Sequence, residues 1–187
     1  MSSIKIECYL LDGTQRTFLS WADVFAVGDN ITDITLNDEN VESLPDEIGS
    51  LRNLKFLDLN DCSLRFLPDS FCELTNLEKL YLDGNMLTSL PANFGNLSKL
   101  KHLYLSHNEL TVLPDSMENL HDLQHFFCNT NKLTTLPYML LHRGNLLNLD
   151  VTYNPIDCSR EQMISIQENT GINIVGSNYL RNLNQTD

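Results

Sequence analysis

Basic side chains are scarce in this chain. Its 187 residues hold 12 Lys and Arg against 25 Asp and Glu, a formal net charge of −13. A phosphate backbone or an anionic bilayer would be repelled by that field, so nucleic acid and membrane surfaces are disfavoured as partners and a basic partner is favoured. The acid is unevenly spread: residues 1–76 carry 14 acids and 5 bases, residues 77–187 carry 11 and 7. Long apolar runs are missing too, and none approaches the roughly eighteen residues of a membrane-crossing helix. Residues 1–11 alternate apolar and polar side chains around Lys5 and Glu7, without the apolar block and small-residue cleavage site of a secretory leader. The cysteines Cys8, Cys62, Cys72, Cys128 and Cys158 are odd in number, lack C-x-x-C spacing and do not gather at either end. Free thiols in a reducing compartment are the expectation, and with them a cytoplasmic location. Delivery into a host cell by a specialised secretion route is the alternative.

What the chain has is a period. From Ile31 one pattern returns every 23 residues with no insertion or deletion. Its first column reads Ile31, Leu54, Leu77, Leu100, Leu123 and Leu146. Three residues on stand Ile34, Leu57, Leu80, Leu103, Phe126 and Leu149, and two further Leu36, Leu59, Leu82, Leu105, Cys128 and Val151. The ninth column is Glu39 and Cys62, then Asn85, Asn108, Asn131 and Asn154. Leu-Pro recurs at Leu44-Pro45, Leu67-Pro68, Leu90-Pro91, Leu113-Pro114 and Leu136-Pro137. Apolar residues two apart predict a short strand whose leucines point one way and whose spacers point the other. One coil cannot close its own core, so the coils must stack. Each fully buried Leu, Ile or Phe contributes roughly 1.5–3 kcal/mol once its neighbours cover it. Where the chain leaves the strand, an asparagine amide can donate to and accept from the backbone of adjacent coils. Glu39 and Cys62 interrupt that ladder, so the first two coils are expected to be the least regular. Each proline then opens a short helical turn, whose N-terminal end suits Asp46, Asp69 and Asp115.

These columns resemble the leucine-rich repeat, L-x-x-L-x-L-x-x-N-x-L, over residues 31–156. The 23-residue L-P-x-x-[IF]-x-x-L variety is similar to that of Ras-group-related intracellular proteins and of bacterial effector repeats. The resemblance implies an α/β solenoid, a right-handed superhelix with a curved parallel sheet on its concave face. It also implies work by protein binding rather than catalysis, without a cofactor. The reading is one domain over 1–187: an N-terminal cap (1–30), six repeats (31–156) and a C-terminal cap (157–187).

Both ends carry capping signals. Alternating residues around Asp12-Gly13 predict a β-hairpin over 4–19. Ser20, with Asp23 three residues on, predicts the start of a helical turn bearing Trp21, Val24 and Phe25. In the sixth repeat Ser159-Arg160 replaces Leu-Pro. Met163, Ile164 and Ile166 then predict a helix over 159–169, stopped near Gly171. Ile172 to Val175 fall in register as a seventh strand, with the tail from Gly176 at that edge.

If the leucines face inward, the spacers form the recognition surface. The central column is Thr35, Asp58, Tyr81, Tyr104, Phe127 and Asp150. Two positions earlier come Asp33, Phe56, Lys79, His102, His125 and Asn148; two positions later come Asn37, Asn60, Asp83, Ser106, Asn129 and Thr152. Strands about 4.8 Å apart would line Tyr81, Tyr104 and Phe127 into an aromatic stripe. His102 and His125 would lie beside it, Phe56 at one flank, and acids (Asp33, Asp38, Asp58, Asp61, Asp83) toward the N-terminal coils. Rigid exposed aromatics are the residue type of interface hot spots. The candidate contact residues are therefore Phe56, Asp58, Lys79, Tyr81, Asp83, His102, Tyr104, His125, Phe127 and Asp150, facing a protein partner with an apolar anchor and a basic patch. Two rival readings remain. One is an adaptor or scaffold working through convex or cap surfaces. The other is a metal or catalytic site of His102, His125 and His107 with Asp83 or Asp150, for which no H-E-x-x-H spacing exists. Cys128 and Cys62 fill core and ladder positions; only Cys158, near the start of the C-terminal helix, is placed for a lowered thiol pKa.

Overall fold

The computed structural model describes residues 4–36, 41–135, 137–141 and 145–175. Asn37, Asp38, Glu39, Leu136 and the tail from Gly176, all used in the sequence reading, lie outside them. The 23-residue register becomes one curved sheet of nine strands in the order β2-β1-β3-β4-β5-β6-β7-β8-β9. The hairpin strands β1 (Ile6–Leu10) and β2 (Gln15–Phe18) are antiparallel, with Gly13 at φ 81 in the turn between them. Strand β1 also pairs antiparallel with β3 (Ile31–Leu36), so the hairpin covers the edge of the first coil. From there on every pairing is parallel: β4 (Phe56–Asp58), β5 (Lys79–Tyr81), β6 (His102–Tyr104), β7 (His125–Phe127), β8 (Asn148–Asp150) and β9 (Asn173–Val175). The last of these is the expected seventh strand.

The inward columns form one core. Ile34, Leu57, Leu80, Leu103, Phe126 and Leu149 are each 0 % exposed. Phe71, Phe94 and Met117, three residues after their prolines, close it from the far side and are equally buried. The segments after Leu-Pro are single 3-10 turns, Asp46–Ser50, Asp69–Glu73, Phe94–Asn96 and Asp115–Asn119, and one short helix, α2 (Tyr138–Leu141). Turns this short let successive coils approach closely. A Cβ on Gly49 would fall on the Ser70 carbonyl oxygen and one on Gly95 on that of Ser116, so at these positions the backbone of the next coil occupies the side-chain space.

The asparagine ladder is present. Asn108 donates to the carbonyls of Leu82 (2.8 Å) and Leu105 (3.1 Å) and accepts from Leu87 N–H (3.0 Å), tying its own coil to the preceding one. Asn85, Asn131 and Asn154 repeat this pattern. Cys62 takes the ladder place with a thiol aimed at Leu36 O, 3.2 Å away. Its coil is irregular: Asp61, Gly84, His107, Thr130 and Tyr153 form a column of left-handed residues one per coil, and among the described residues of the repeats a second one is added in this coil alone, Ser63 at φ 62.

The caps follow their signals. Helix α1 (Trp21–Val27) starts at Ser20, whose hydroxyl oxygen accepts from Asp23 N–H. Helix α3 (Arg160–Thr170) opens on a capping box between Ser159 and Gln162 and stops at Gly171 in the left-handed conformation. Among the described residues no helix is long and apolar enough to cross a membrane.

Candidate functional site

Parallel pairing in register sets the outward columns side by side. Phe56, Lys79, His102, His125 and Asn148 are Cα partners in turn, and so are Asp58, Tyr81, Tyr104, Phe127 and Asp150. All ten candidate contact residues therefore stand on one face of β4–β8 or, for Asp83, two residues past β5. Lys79 is exposed and the other nine are half-buried. Both columns run on to β9, as Asn173 and Val175.

The aromatic side chains touch in an unbroken ladder. Phe56 and Tyr81 meet edge to face at a centroid distance of 5.3 Å, Tyr81 and Tyr104 edge to face at 4.6 Å, and Tyr104 stacks on Phe127 at 5.0 Å. Such pairs gain roughly 0.5–1.5 kcal/mol beyond their burial and hold each other's orientation. Beside them His102 and His125 stack nearly parallel, at 4.8 Å and 8°. His125 Nδ1 lies 2.8 Å from the Asn148 side-chain nitrogen, and the Asn148 oxygen accepts from Asn173. Asn148 thus turns its amide N–H toward Nδ1, which makes that nitrogen the acceptor. Neither asparagine was singled out from sequence; the register places both, but their hydrogen bonds need coordinates.

The carboxylates are held as firmly. Asp58 Oδ1 accepts from Asn60 N–H (3.1 Å), and Asp150 Oδ1 from Thr152 N–H (2.9 Å) and its hydroxyl (2.7 Å). Asp83 Oδ1 accepts from Ser106 N–H (2.6 Å), and Asp83's own N–H donates to Asn60 Oδ1 (2.7 Å). Burial raises the pKa of Asp58 and Asp83 above the ordinary carboxylate value; the N–H donors of Asn60 and Ser106 oppose the shift, and neighbouring Asp61 adds to it. The pKa of Tyr81 is raised as well, by burial first, then by Tyr104 and Asp58. For His102 the direction is downward: burial disfavours its cation, as do His125, Lys79 and Lys101. Among the described residues, the ion pairs Arg52–Glu73, Arg65–Glu42, Lys101–Glu78 and Lys132–Glu109 involve none of these aspartates.

His107 is exposed, at the left-handed position beyond the strand. Among the described residues no group of three or more His, Cys, Asp or Glu side chains is arranged to hold a metal ion. One expectation needs correcting. Cys158 has its pKa raised, by burial and by Asp157, because the thiol is packed into the core beside the helix start and desolvation outweighs the helix end. Cys8 and Cys72 are pushed up to about 12 and about 11, and Cys128 is raised further by complete burial.

Against this geometry the comparisons are informative. A family model described as a leucine-rich repeat region matches residues 33–103, and one described as a leucine rich repeat matches 90–133. No curated protein matches the chain. A leucine-rich-repeat protein of Leptospira interrogans is similar in structure, with a TM-score of 0.67 and 32 % identity over 78 % of this chain. The ectodomain of the Arabidopsis thaliana receptor kinase GASSHO1/SCHENGEN3, solved in complex with CASPARIAN STRIP INTEGRITY FACTOR 2, aligns at 0.63 with 34 % identity over 67 %. The plant peptide hormone receptor RGFR1, in complex with RGF2, aligns at 0.53 with 33 % identity over 60 %. The chain spans 37 %, 16 % and 19 % of those three proteins respectively. The repeat columns, the stacked parallel sheet and these matches agree: the chain belongs to the leucine-rich-repeat proteins.

Proposed function

We propose that the module binds a protein partner on its concave face, through the aromatic ladder and the carboxylates around it. One observation carries this reading. Phe56, Tyr81, Tyr104 and Phe127 are in continuous contact at 4.6–5.3 Å and remain half-exposed on strands β4–β7, whose other face is fully packed. Rings fixed this way lose little entropy on binding and offer contiguous apolar area. The surrounding charge, Asp58, Asp83 and Asp150 within a chain of net −13, favours a partner with basic groups beside its apolar anchor. Two of the similar structures hold a bound partner, CASPARIAN STRIP INTEGRITY FACTOR 2 in one and RGF2 in the other, which supports the same class of function. The adaptor reading rests on Phe66 and Val112, 55 % and 60 % exposed outside the sheet, which would serve a second contact.

The test is selection of binders from a displayed random-peptide library, followed by their affinities for wild type and for Tyr81→Ala/Tyr104→Ala. The double variant should bind at least about 100-fold more weakly, on the order of two aromatic hot spots. Unchanged affinity for every selected binder rules the face out.

A further inference from the structure

Two aspartates of the recognition face, Asp58 and Asp150, are held through one oxygen. Oδ1 accepts from Asn60 N–H in the first and from the Thr152 N–H and hydroxyl in the second, and among the described residues no hydrogen bond or ion pair reaches Oδ2. These bonds fix where the second oxygen sits, so each carboxylate presents an oriented acceptor for a cation. Asp58 and Asp150 have a further relation: they end the central column, with Tyr81, Tyr104 and Phe127 between them. Four strand spacings of about 4.8 Å separate them by roughly 19 Å. The ring contacts of 4.6 Å and 5.0 Å inside the column agree with that spacing.

An extended peptide laid across the strands advances about 3.3 Å per residue, and every second side chain faces the same way. Roughly 19 Å is then six residues, an even number. We infer that this face takes an extended segment of the partner with basic side chains at positions i and i+6, one on Asp58 and one on Asp150, and apolar side chains at i+2 and i+4. On this spacing the two apolar groups come roughly 7 Å and 13 Å from Asp58. Those places fall between Tyr81 and Tyr104, and between Tyr104 and Phe127. The inference rests on the concave-face reading and adds to it a length, a parity and a charge at each end.

Parity makes it testable with three labelled heptapeptides of one composition. RSLSLSR places both arginines and both leucines on one side; RSLSLRS spaces the arginines by five and turns the second away; RSLRLSS spaces them by three. The palindromic order of the first removes any dependence on chain direction. In fluorescence anisotropy RSLSLSR should bind about 10-fold more tightly than either isomer. Asp58→Asn and Asp150→Asn keep the Oδ1 acceptor and the shape, and each should weaken RSLSLSR by about 3–10-fold while leaving RSLSLRS within about twofold or less for at least one of the two. Equal affinities for the isomers, or an Asp150→Asn variant that binds RSLSLSR unchanged, overturns the inference. If Tyr81→Ala/Tyr104→Ala still removes peptide binding in that case, the concave-face reading stands without the spacing. Absence of measurable binding by all three peptides also overturns it, and the library selection then judges the face alone.

Discussion

Leu103 and Tyr104 are adjacent in one strand and do opposite work. Leu103 is fully buried, touching the coils before and after its own; Tyr104 is half-exposed between the rings of Tyr81 and Phe127. The difference holds along the strands of the repeats. Inward, the residue type hardly varies from coil to coil, because the same cross-section must be filled each time. Outward, the column changes from Thr35 and Asp58 to three rings and back to Asp150, because no packing demand fixes it. Stability is therefore carried by the inward face and the proposed recognition by the outward face of the same strands, and the two should separate on mutation.

The largest effect should come from Leu103→Ala, which leaves a cavity in the middle coils and should cost about 3–5 kcal/mol in urea unfolding. Tyr104→Ala one residue on should cost less, about 1–3 kcal/mol, since it removes two ring pairs but opens no cavity. A Tyr104 variant as unstable as the Leu103 variant would show that the outward ladder holds the solenoid together, and the division of labour would fail.

Asn108→Ala should fall next, at about 1–3 kcal/mol. It strands the buried Leu87 N–H, which donates to this amide at 3.0 Å, while the Leu82 carbonyl loses one of two donors and keeps Asn85 at 3.0 Å. The side chain is small and the lost apolar burial slight, so a loss near that of Leu103→Ala would place the ladder on a level with the core. Urea unfolding with an unchanged m-value is the measurement.

How much of this was legible depends on which face carried it. The 23-residue register located every strand of the repeats, the Asn85–Asn154 ladder and the outward columns, because inward packing repeats and repetition is visible. Capping residues such as Ser20, Ser159 and Gly171 were legible for the same local reason. The left-handed column was not: Asp61, His107, Thr130 and Tyr153 share it with Gly84, and only the glycine announces such a conformation. At Gly84 a Cβ would fall on Asp61 Oδ1, a contact between coils that no single repeat records. A second amide ladder, in which Asn53, Asn76 and Asn145 donate to carbonyls of the preceding coil, was hidden because Lys99 and Asp122 interrupt its column. Ring orientation and the His125–Asn148–Asn173 contacts follow from side-chain geometry, which spacing does not encode.

The smallest expected effect concerns His102, and its sign is what matters. Burial, His125, Lys79 and Lys101 hold the His102 pKa below its ordinary 6.5, so the unfolded chain takes up this proton more readily than the folded one. The stability this provides is fully present above about pH 6.5 and is lost as pH falls through the lower folded value. Asp58 and Asp83 run the other way: their raised pKa values add stability on acidification. Between pH 7.5 and 5.5, on the order of one pH unit either side of an ordinary histidine, the difference between wild type and His102→Gln therefore isolates the His102 contribution. Wild type should lose thermal stability across that window, and His102→Gln, which keeps a polar side chain in the stack's place, should lose less. The proton also adds positive charge beside the aromatic stripe, so a basic peptide should bind more weakly at the acidic end to wild type than to His102→Gln. A His102→Gln variant that loses as much stability as wild type across the window would mean that His102 takes up its proton in the folded chain without penalty.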